Sequence, residues 1–134
     1  MENLEEIAIK ASSDPFLSIV VSDVSIKNQV ATSILHIHSF NKPIVKTLHR
    51  TINITTAEAE LFAIRCGINQ AIANLCIKHI IIITDSLHIT RKIFDLSTYP
   101  YQIHSMAIFS ELREFFSKDF TNHIEFWDCP SKQQ

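Results

Sequence analysis

The sequence predicts an α/β fold with a five-stranded mixed sheet flanked by helices. Three stretches with the period of a β-strand follow one another up to residue 52, separated by short turn signals. The apolar period then becomes that of a helix, and a nearly continuous apolar run follows at 79–84. Two more helical stretches and a last strand complete the order β-β-β-α-β-α-α-β. A meander followed by βα crossovers produces such a mixed sheet.

The first half of the chain is predicted to form an antiparallel meander. Asp14-Pro15 breaks the pattern, so residues 1–15 are interpreted as an N-terminal leader and residues 16–134 as one domain. In the second strand, Leu35 and Ile37 alternate with Ile34, His36 and His38 on the other face. Strands are expected at 16–24, 29–39 and 44–52, with turns at Lys27-Asn28 and Asn41-Lys42-Pro43.

The second half is predicted to alternate helices and strands. Thr55 or Thr56 can cap a helix that carries Glu58 and Glu60 near its positive end. The apolar run at 79–84 is typical of a strand covered on both faces. Further helices are expected at about 87–95 and 102–117, and the last strand at His123–Trp127. The first helix shows an apolar stripe at helical spacing, made of Ala57, Leu61, Ile64, Ile68, Ala71, Ile72 and Leu75.

Composition indicates a globular domain inside the cell. The chain has 134 residues, of which 46% are hydrophobic and 19% charged. A net charge of −2 gives no general attraction to nucleic acid. The three cysteines form no Cys-x-x-Cys pair, which argues against a disulfide framework and structural zinc. The N-terminus has no secretory signal pattern, so we expect a location in the cytoplasm or nucleus.

Three carboxylates occupy positions where an isolated charge is costly. Asp23 ends the apolar run that begins at Phe16, Glu60 lies in the first turns of the helix, and Asp85 ends the most apolar run. The first and fourth strands are expected to be central neighbours, which would bring the two aspartates together near the strand ends. Mg²⁺ or Mn²⁺ ions prefer such oxygen ligands, and two ions at ~4 Å need several of them. The alternative is that these residues only form turns and helix caps.

Four short motifs resemble the ribonuclease H domain of retroelement reverse transcriptases. Ser22-Asp23-Val24-Ser25 is similar to the Thr-Asp-Gly-Ser of the family's first strand, and Ala59–Ile64 reads Ala-Glu-Leu-Phe-Ala-Ile like its first helix. Thr84-Asp85-Ser86 matches the end of its fourth strand, and Pro130-Ser131-Lys132 is similar to its Pro-Ser-His loop. The resemblance covers about residues 16–131, and the motifs occur in the family's order.

The resemblance implies a ribonuclease H-like fold and a metal-dependent endonuclease that hydrolyses the RNA strand of an RNA–DNA hybrid. It assigns Asp23, Glu60 and Asp85 as the catalytic metal ligands for Mg²⁺ or Mn²⁺, and it selects Glu60 over Glu58, which periodicity leaves undecided. Such enzymes hold the hybrid through its shape, phosphates and 2′-hydroxyls. Candidate substrate contacts are Ser25, Lys27, Asn28, Ser86, Arg91 and Lys132.

The sequence departs from the family pattern in ways that support an alternative. The family's fourth acidic residue lies on a helix after the last strand, and the chain ends before that helix, with Asp128 too early to match. Lys132 replaces the loop histidine, and Val24 replaces a glycine. The second ion is therefore expected to bind weakly, as is the hybrid. The alternative is a catalytically inactive ribonuclease H-like module with a structural or partner-binding role, which would form a homodimer through the surface left exposed.

The sequence also raises two other interpretations. A transposase or exonuclease would keep the fold and change the substrate, but the Ala-Glu-Leu signature of the helix argues against it. His36 and His38 share one face of a strand, a spacing that can ligate zinc. The sequence shows no third ligand for them, so an outer strand face is the preferred interpretation.

Overall fold

In the part of the chain that the structure describes, a five-stranded mixed sheet is packed against helices on one face. The computed structural model describes residues 6, 9–10, 13–28, 30–40, 45–52, 56–84 and 102–128. Within these residues the spatial strand order is β3-β2-β1-β4-β5. The elements are β1 (Leu17–Lys27), β2 (Val30–Ser39), β3 (Val45–Ile52), α1 (Thr56–Ile72), β4 (His79–Thr84), α2 (Gln102–Lys118) and β5 (His123–Asp128). This confirms the predicted α/β class; the helix predicted at 87–95 lies outside the described residues.

Strands β1, β2 and β3 form the predicted antiparallel meander. Lys27 of β1 pairs with Val30 of β2, so two residues connect these strands. Asn28 in this turn has a φ of 53°, in the left-handed region that asparagine tolerates better than most residues. The tight turn fixes the register of the hairpin, in which Asp23 lies opposite Ile34.

The centre of the sheet is the parallel pair β1 and β4, as predicted. The registered pairs run from Leu17 with His79 to Val21 with Ile83. At the amino end of β4, the backbone N–H groups of Lys78 and His79 both donate to the carbonyl of Phe16, at 2.8 and 3.0 Å. On its other side β4 pairs with β5, also in parallel. Strand β4 is thus hydrogen-bonded along both edges.

Strand β4 is also covered on both faces, which explains its uninterrupted isoleucine run. Ile80 and Ile82 belong to the larger core, together with Val20 of β1 and residues of α1 and α2. Ile81 and Ile83 face the other way and pack with Leu17 and Ile19 of β1. All four isoleucines are fully buried. Because both faces are apolar, the strand reads as a continuous run rather than an alternation.

Helix α1 carries the larger core on one face and ends earlier than the apolar stripe suggested. Leu61, Ile64 and Ile68 are fully buried, but Leu75 is 84% exposed, so its assignment to the stripe was wrong. The helix ends at Ile72, and the Asn74 side chain accepts a hydrogen bond from the N–H of Cys76 at 3.0 Å. This turn directs Leu75 to solvent because helical periodicity no longer applies there.

Helix α2 packs beside α1 and leads into the edge strand β5. Ile108, Leu112 and Phe115 of α2 are buried in the larger core. The Asn69 amide of α1 donates to Glu111 Oε1 of α2 at 3.1 Å, which links the two helices. Helices α1 and α2 therefore both pack over one face of the sheet, and the smaller apolar cluster lies on the other.

Candidate functional site

Asp23 lies inside strand β1 rather than at its end. The strand runs to Lys27, three residues beyond the predicted limit, because pairing with β2 continues to the turn. Asp23 is exposed. Strand alternation assigns it to the face of Ile19 and Val21, opposite the face on which Val20 meets α1. The carboxylate occupies the stretch of β1 that extends past its last registered pair with β4.

Glu60 lies in the second turn of α1 and is partly buried, as is Glu58. Ala59 and Leu61, on either side of Glu60, are fully buried. The helix thus presents both glutamates along the margins of its buried face. Burial does not distinguish them, which leaves the choice of Glu60 to the motif.

The third carboxylate of the predicted trio, Asp85, lies outside the described residues. Strand β4 is described up to Thr84, which is buried. The last registered pair of β1 and β4 is Val21 with Ile83, and the positions two residues further on are those of Asp23 and Asp85. The convergence of all three carboxylates stays a prediction.

Three of the six predicted substrate contacts lie among the residues that the structure describes. Ser25 and Lys27 are exposed at the end of β1, and Asn28 is exposed in the turn after it, all shortly after Asp23 in the sequence. These three positions are accessible to a large ligand. Ser86, Arg91 and Lys132 lie outside the described residues.

Sequence reasoning missed a second group of polar side chains, at the start of β4 and β5. One ligand atom each from His79, His123 and Glu125 lie within 4.8 Å of one another. His79 and His123 are a registered pair of these two strands, and their rings stack with centroids 3.8 Å apart. Among the residues that the structure describes, these three side chains form a cluster of histidine and carboxylate groups that could hold a metal ion.

The electrostatics of this cluster favour a neutral imidazole beside an ionised carboxylate. Burial is the largest effect on His79 and lowers its pKa. The hydrogen bond with Glu125 raises the pKa but does not offset burial. The nearby positive charges of His123 and Lys10 lower that pKa further. Burial raises the pKa of Glu125, but hydrogen bonds from His79 and Trp127 outweigh it and leave this pKa below its usual value.

The prediction that His36 and His38 share one strand face is confirmed, but the position of that strand in the sheet differs from the prediction. Both are half-buried, on the face of β2 opposite Leu35 and Ile37. Burial lowers the pKa of His38, and the neighbouring His36 lowers it further. Strand β2 lies between β3 and β1, so the expected outer strand face is in fact a face of an inner strand.

The fold is that of ribonuclease H. A ribonuclease H1 from Halobacterium salinarum NRC-1 superposes with a TM-score of 0.61 at 14% identity, over 87% of this chain and 88% of that one. LC11-RNase H1 in complex with an RNA/DNA hybrid gives 0.61 at 12% identity, over 87% of each chain. The prototype foamy virus protease-reverse transcriptase also gives 0.61, at 15% identity over 88% of this chain and 18% of that chain.

A family model described as reverse transcriptase-like matches residues 44–128, more than half of the sequence. The chain belongs to this reverse transcriptase-like family, which confirms the resemblance drawn from the motifs. No curated protein matches the chain significantly. None of the helices that the structure describes has the length and apolar character needed to cross a membrane.

Proposed function

We propose that the chain is a metal-dependent endonuclease domain that hydrolyses the RNA strand of RNA–DNA hybrids. The observation that carries this proposal is the parallel register of β1 and β4. Continued by two residues beyond Val21 and Ile83, it reaches the sequence positions of Asp23 and Asp85. Family membership and the ribonuclease H fold support the same activity. One of the similar structures is described as a complex with an RNA/DNA hybrid.

The proposed metal ligands are Asp23, Glu60 and Asp85. Asp23 is exposed and Glu60 partly so, and both offer carboxylate oxygens, the donors that Mg²⁺ and Mn²⁺ prefer. The donor set therefore fits a hard divalent ion, or two ions if the site is complete. When bound, such ions supply Lewis-acid stabilisation for phosphodiester hydrolysis. The products would carry a 3′-hydroxyl and a 5′-phosphate, as the family implies.

The proposed substrate surface begins at the exposed end of β1. Lys27 can meet a phosphate, and Ser25 and Asn28 can hydrogen-bond to the backbone or a 2′-hydroxyl. Ser86, Arg91 and Lys132 are proposed to add to this surface. The net charge of −2 predicts weak binding of the hybrid, because few cationic groups release counterions.

The test is cleavage of a labelled RNA–DNA hybrid with Mg²⁺ or Mn²⁺, comparing the parent chain with Asp85→Asn and with the matched pair Glu60→Gln and Glu58→Gln. The parent should cut the RNA strand. We expect Asp85→Asn and Glu60→Gln to lose about a hundredfold or more, since a bound ion contributes several kcal/mol and each 1.4 kcal/mol is tenfold. Glu58→Gln should retain near-parental cleavage.

Two outcomes would contradict the assignment. Equal cleavage by the parent and Asp85→Asn would indicate a contaminating nuclease. Equal loss in Glu58→Gln and Glu60→Gln would show that the choice of glutamate is wrong. Duplex DNA and RNA without its DNA partner serve as substrate controls, and neither should be cut.

A second candidate is a catalytically inactive ribonuclease H-like module with a structural or partner-binding role. The observation that favours it is the placement of Asp23 and α1 on opposite faces of β1 by strand alternation. A site divided in this way would hold an ion weakly. This candidate predicts no metal-dependent cleavage by the parent chain, together with a homodimer in sedimentation or light scattering.

A further inference from the structure

The cluster of His79, His123 and Glu125 is built by strand pairing, not by chance proximity of loop side chains. His79 and His123 are opposite each other in the parallel pair β4 and β5, and Glu125 is opposite Ile81. Residues His79, Ile81, His123 and Glu125 therefore all belong to one face of the sheet, the face of the smaller apolar cluster. A regular backbone thus holds the three ligand-bearing positions at fixed spacing.

Each member of the cluster is oriented by a contact outside it or by another member. His79 Nε2 and Glu125 Oε2 are hydrogen-bonded to each other. His123 Nδ1 lies 3.2 Å from the carbonyl of Thr121, and a proton on Nδ1 would leave Nε2 with a free lone pair. Trp127 Nε1 donates to Glu125 Oε1 at 3.4 Å. Partners of this kind, which fix imidazole tautomers and carboxylate orientation, surround metal ligands in many proteins.

The cluster is remote from the proposed carboxylate site. His79 begins β4, whereas Asp85 follows the last residue of that strand. His79 and Thr84 are five residue-to-residue steps apart along β4, which corresponds to about 17 Å at a rise of ~3.3 Å per residue. The cluster lies at the amino ends of β4 and β5, whereas Asp23 lies on β1 beyond the last registered pair of β1 and β4, Val21 with Ile83. A ligand here would not share the proposed hybrid-cleaving site.

We propose that His79, His123 and Glu125 bind one Zn²⁺ ion, with water in the fourth position. Two imidazoles and one carboxylate form a donor set typical of zinc and unsuited to Mg²⁺, which prefers oxygen ligands. Ligand atoms of a tetrahedral zinc are about 3.4 Å apart, so the present 4.8 Å limit requires only small side-chain rotations. The ion would take the place of the hydrogen bond between His79 Nε2 and Glu125 Oε2, and the single proton of the neutral imidazole would then lie on Nδ1 of His79.

The consequence of this site is a cross-link between an inner strand and an edge strand. Among the strands that the structure describes, β5 is at the end of the sheet and pairs with β4 alone. Zinc would add a bond between the two strands at their first residues. Because the unfolded chain does not hold these residues together, zinc binding would stabilise the folded state.

Calorimetric titration with Zn²⁺ tests the proposal, using the parent chain, His123→Gln, Glu125→Gln and the control His36→Gln. His123 is exposed, so its replacement should not disturb folding, and His36→Gln removes a histidine from the same sheet face outside the cluster. We expect one Zn²⁺ per parent chain, at least about tenfold weaker binding in both cluster variants, and parental binding in the control. Co²⁺ in place of Zn²⁺ should give the visible absorption of a tetrahedral site.

A thermal unfolding measurement gives a second, independent readout. At a zinc concentration about a hundredfold above Kd, the midpoint of the parent should rise by roughly 5–10 °C, and excess Mg²⁺ should not reproduce the rise. Circular dichroism without metal checks that each variant is folded. The proposal is overturned if the parent binds no zinc, if His123→Gln and Glu125→Gln bind as the parent does, or if His36→Gln loses as much affinity as they do.

Discussion

Gly67 of α1 lies directly against Val20 of β1, at a distance that leaves no room for a side chain. A Cβ atom built on Gly67 would be 2.5 Å from Val20 Cγ1 and 3.6 Å from Val20 Cβ. Val20 is fully buried and β-branched, so it cannot rotate away freely. This contact sets how closely the helix that carries Glu60 approaches the strand that carries Asp23.

Substituting Gly67→Ala should therefore destabilise the chain. Overpacking costs about 1–3 kcal/mol, and the better helix propensity of alanine returns at most ~1 kcal/mol. We expect a net loss of about 1–2 kcal/mol in the free energy of unfolding, measured with urea. In a Val20→Ala background the short contact is gone, because the remaining neighbours, Val20 Cβ at 3.6 Å and Leu35 Cδ2 at 3.8 Å, are at ordinary van der Waals distance. There Gly67→Ala should be neutral or stabilising; equal effects in both backgrounds would refute the steric explanation.

Leucine-to-alanine substitution should affect stability very differently in the core and in the turn after α1. Leu61 is fully buried and Leu75 is 84% exposed. Leu61→Ala should lower the free energy of unfolding by about 2–5 kcal/mol through lost burial and a cavity. Leu75→Ala should change it by no more than about 0.5 kcal/mol. Chemical denaturation of both variants checks this, and a large cost at Leu75 would mean that the residue is buried in solution.

The turn between β1 and β2 should depend on Asn28 through its backbone conformation. With φ at 53°, glycine fits this position without strain, whereas a β-branched residue does not. Asn28→Val should cost about 1 kcal/mol or more in unfolding free energy, and Asn28→Gly should be within about 0.5 kcal/mol of the parent. If Asn28→Gly is folded but cleaves hybrid less well, the amide has a role in substrate contact beyond the turn.

Asp119 should make stability depend on pH in the acid range. The N–H and hydroxyl of Thr121 donate to its Oδ1 at 2.9 and 2.8 Å, and Lys78 Nζ lies 3.1 Å from its Oδ2. These contacts, led by the Thr121 backbone N–H, lower its pKa from 3.8 to about 2. The resulting stability is present above the unfolded pKa of 3.8 and is lost as the pH falls through about 2.

The variant Asp119→Ala should thus be less stable than the parent at pH 7, and the difference should shrink below about pH 4. Urea unfolding at pH 7, 5 and 3 measures the difference, and an NMR titration of the Asp119 carboxyl reports the pKa directly. The exposed Glu114→Gln on α2 is the control and should show no comparable trend. A difference that persists unchanged to pH 2 would show that the Asp119 charge is not responsible.

Much of the fold could be predicted because each element carries a local signal. The limits of the run at 79–84 were predicted to the residue, since its four consecutive isoleucines are buried on both faces and form an uninterrupted apolar signal. The end of β1 was placed three residues too early. Ser25, Ile26 and Lys27 are exposed, and only their pairing with β2, which no periodicity records, keeps them in a strand.

The residues of the carboxylate site could be identified from the sequence, whereas those of the histidine cluster could not. Asp23, Glu60 and Asp85 stand in recognisable motifs, so they could be named, but their convergence depends on side-chain directions that motifs do not encode. His79 and His123 lie far apart in sequence and became neighbours only through the register of β4 and β5. A sequence signal for them does exist. If β4 and β5 are assumed to be parallel and aligned at their first residues, His79-Ile80-Ile81 lies beside His123-Ile124-Glu125, which brings the two histidines together.

The parallel pair β1 and β4 has a consequence for how the molecule folds. Its registered partners, from Leu17 with His79 to Val21 with Ile83, are separated in the chain by the whole meander and α1. The ends of this long segment must meet before β1 and β4 can pair with each other, and closing so long a loop costs entropy. The β1–β2 hairpin, by contrast, closes over two residues. High contact order at the centre of the sheet therefore implies slower folding than that of a helical domain of this length, with the hairpin able to form before the centre.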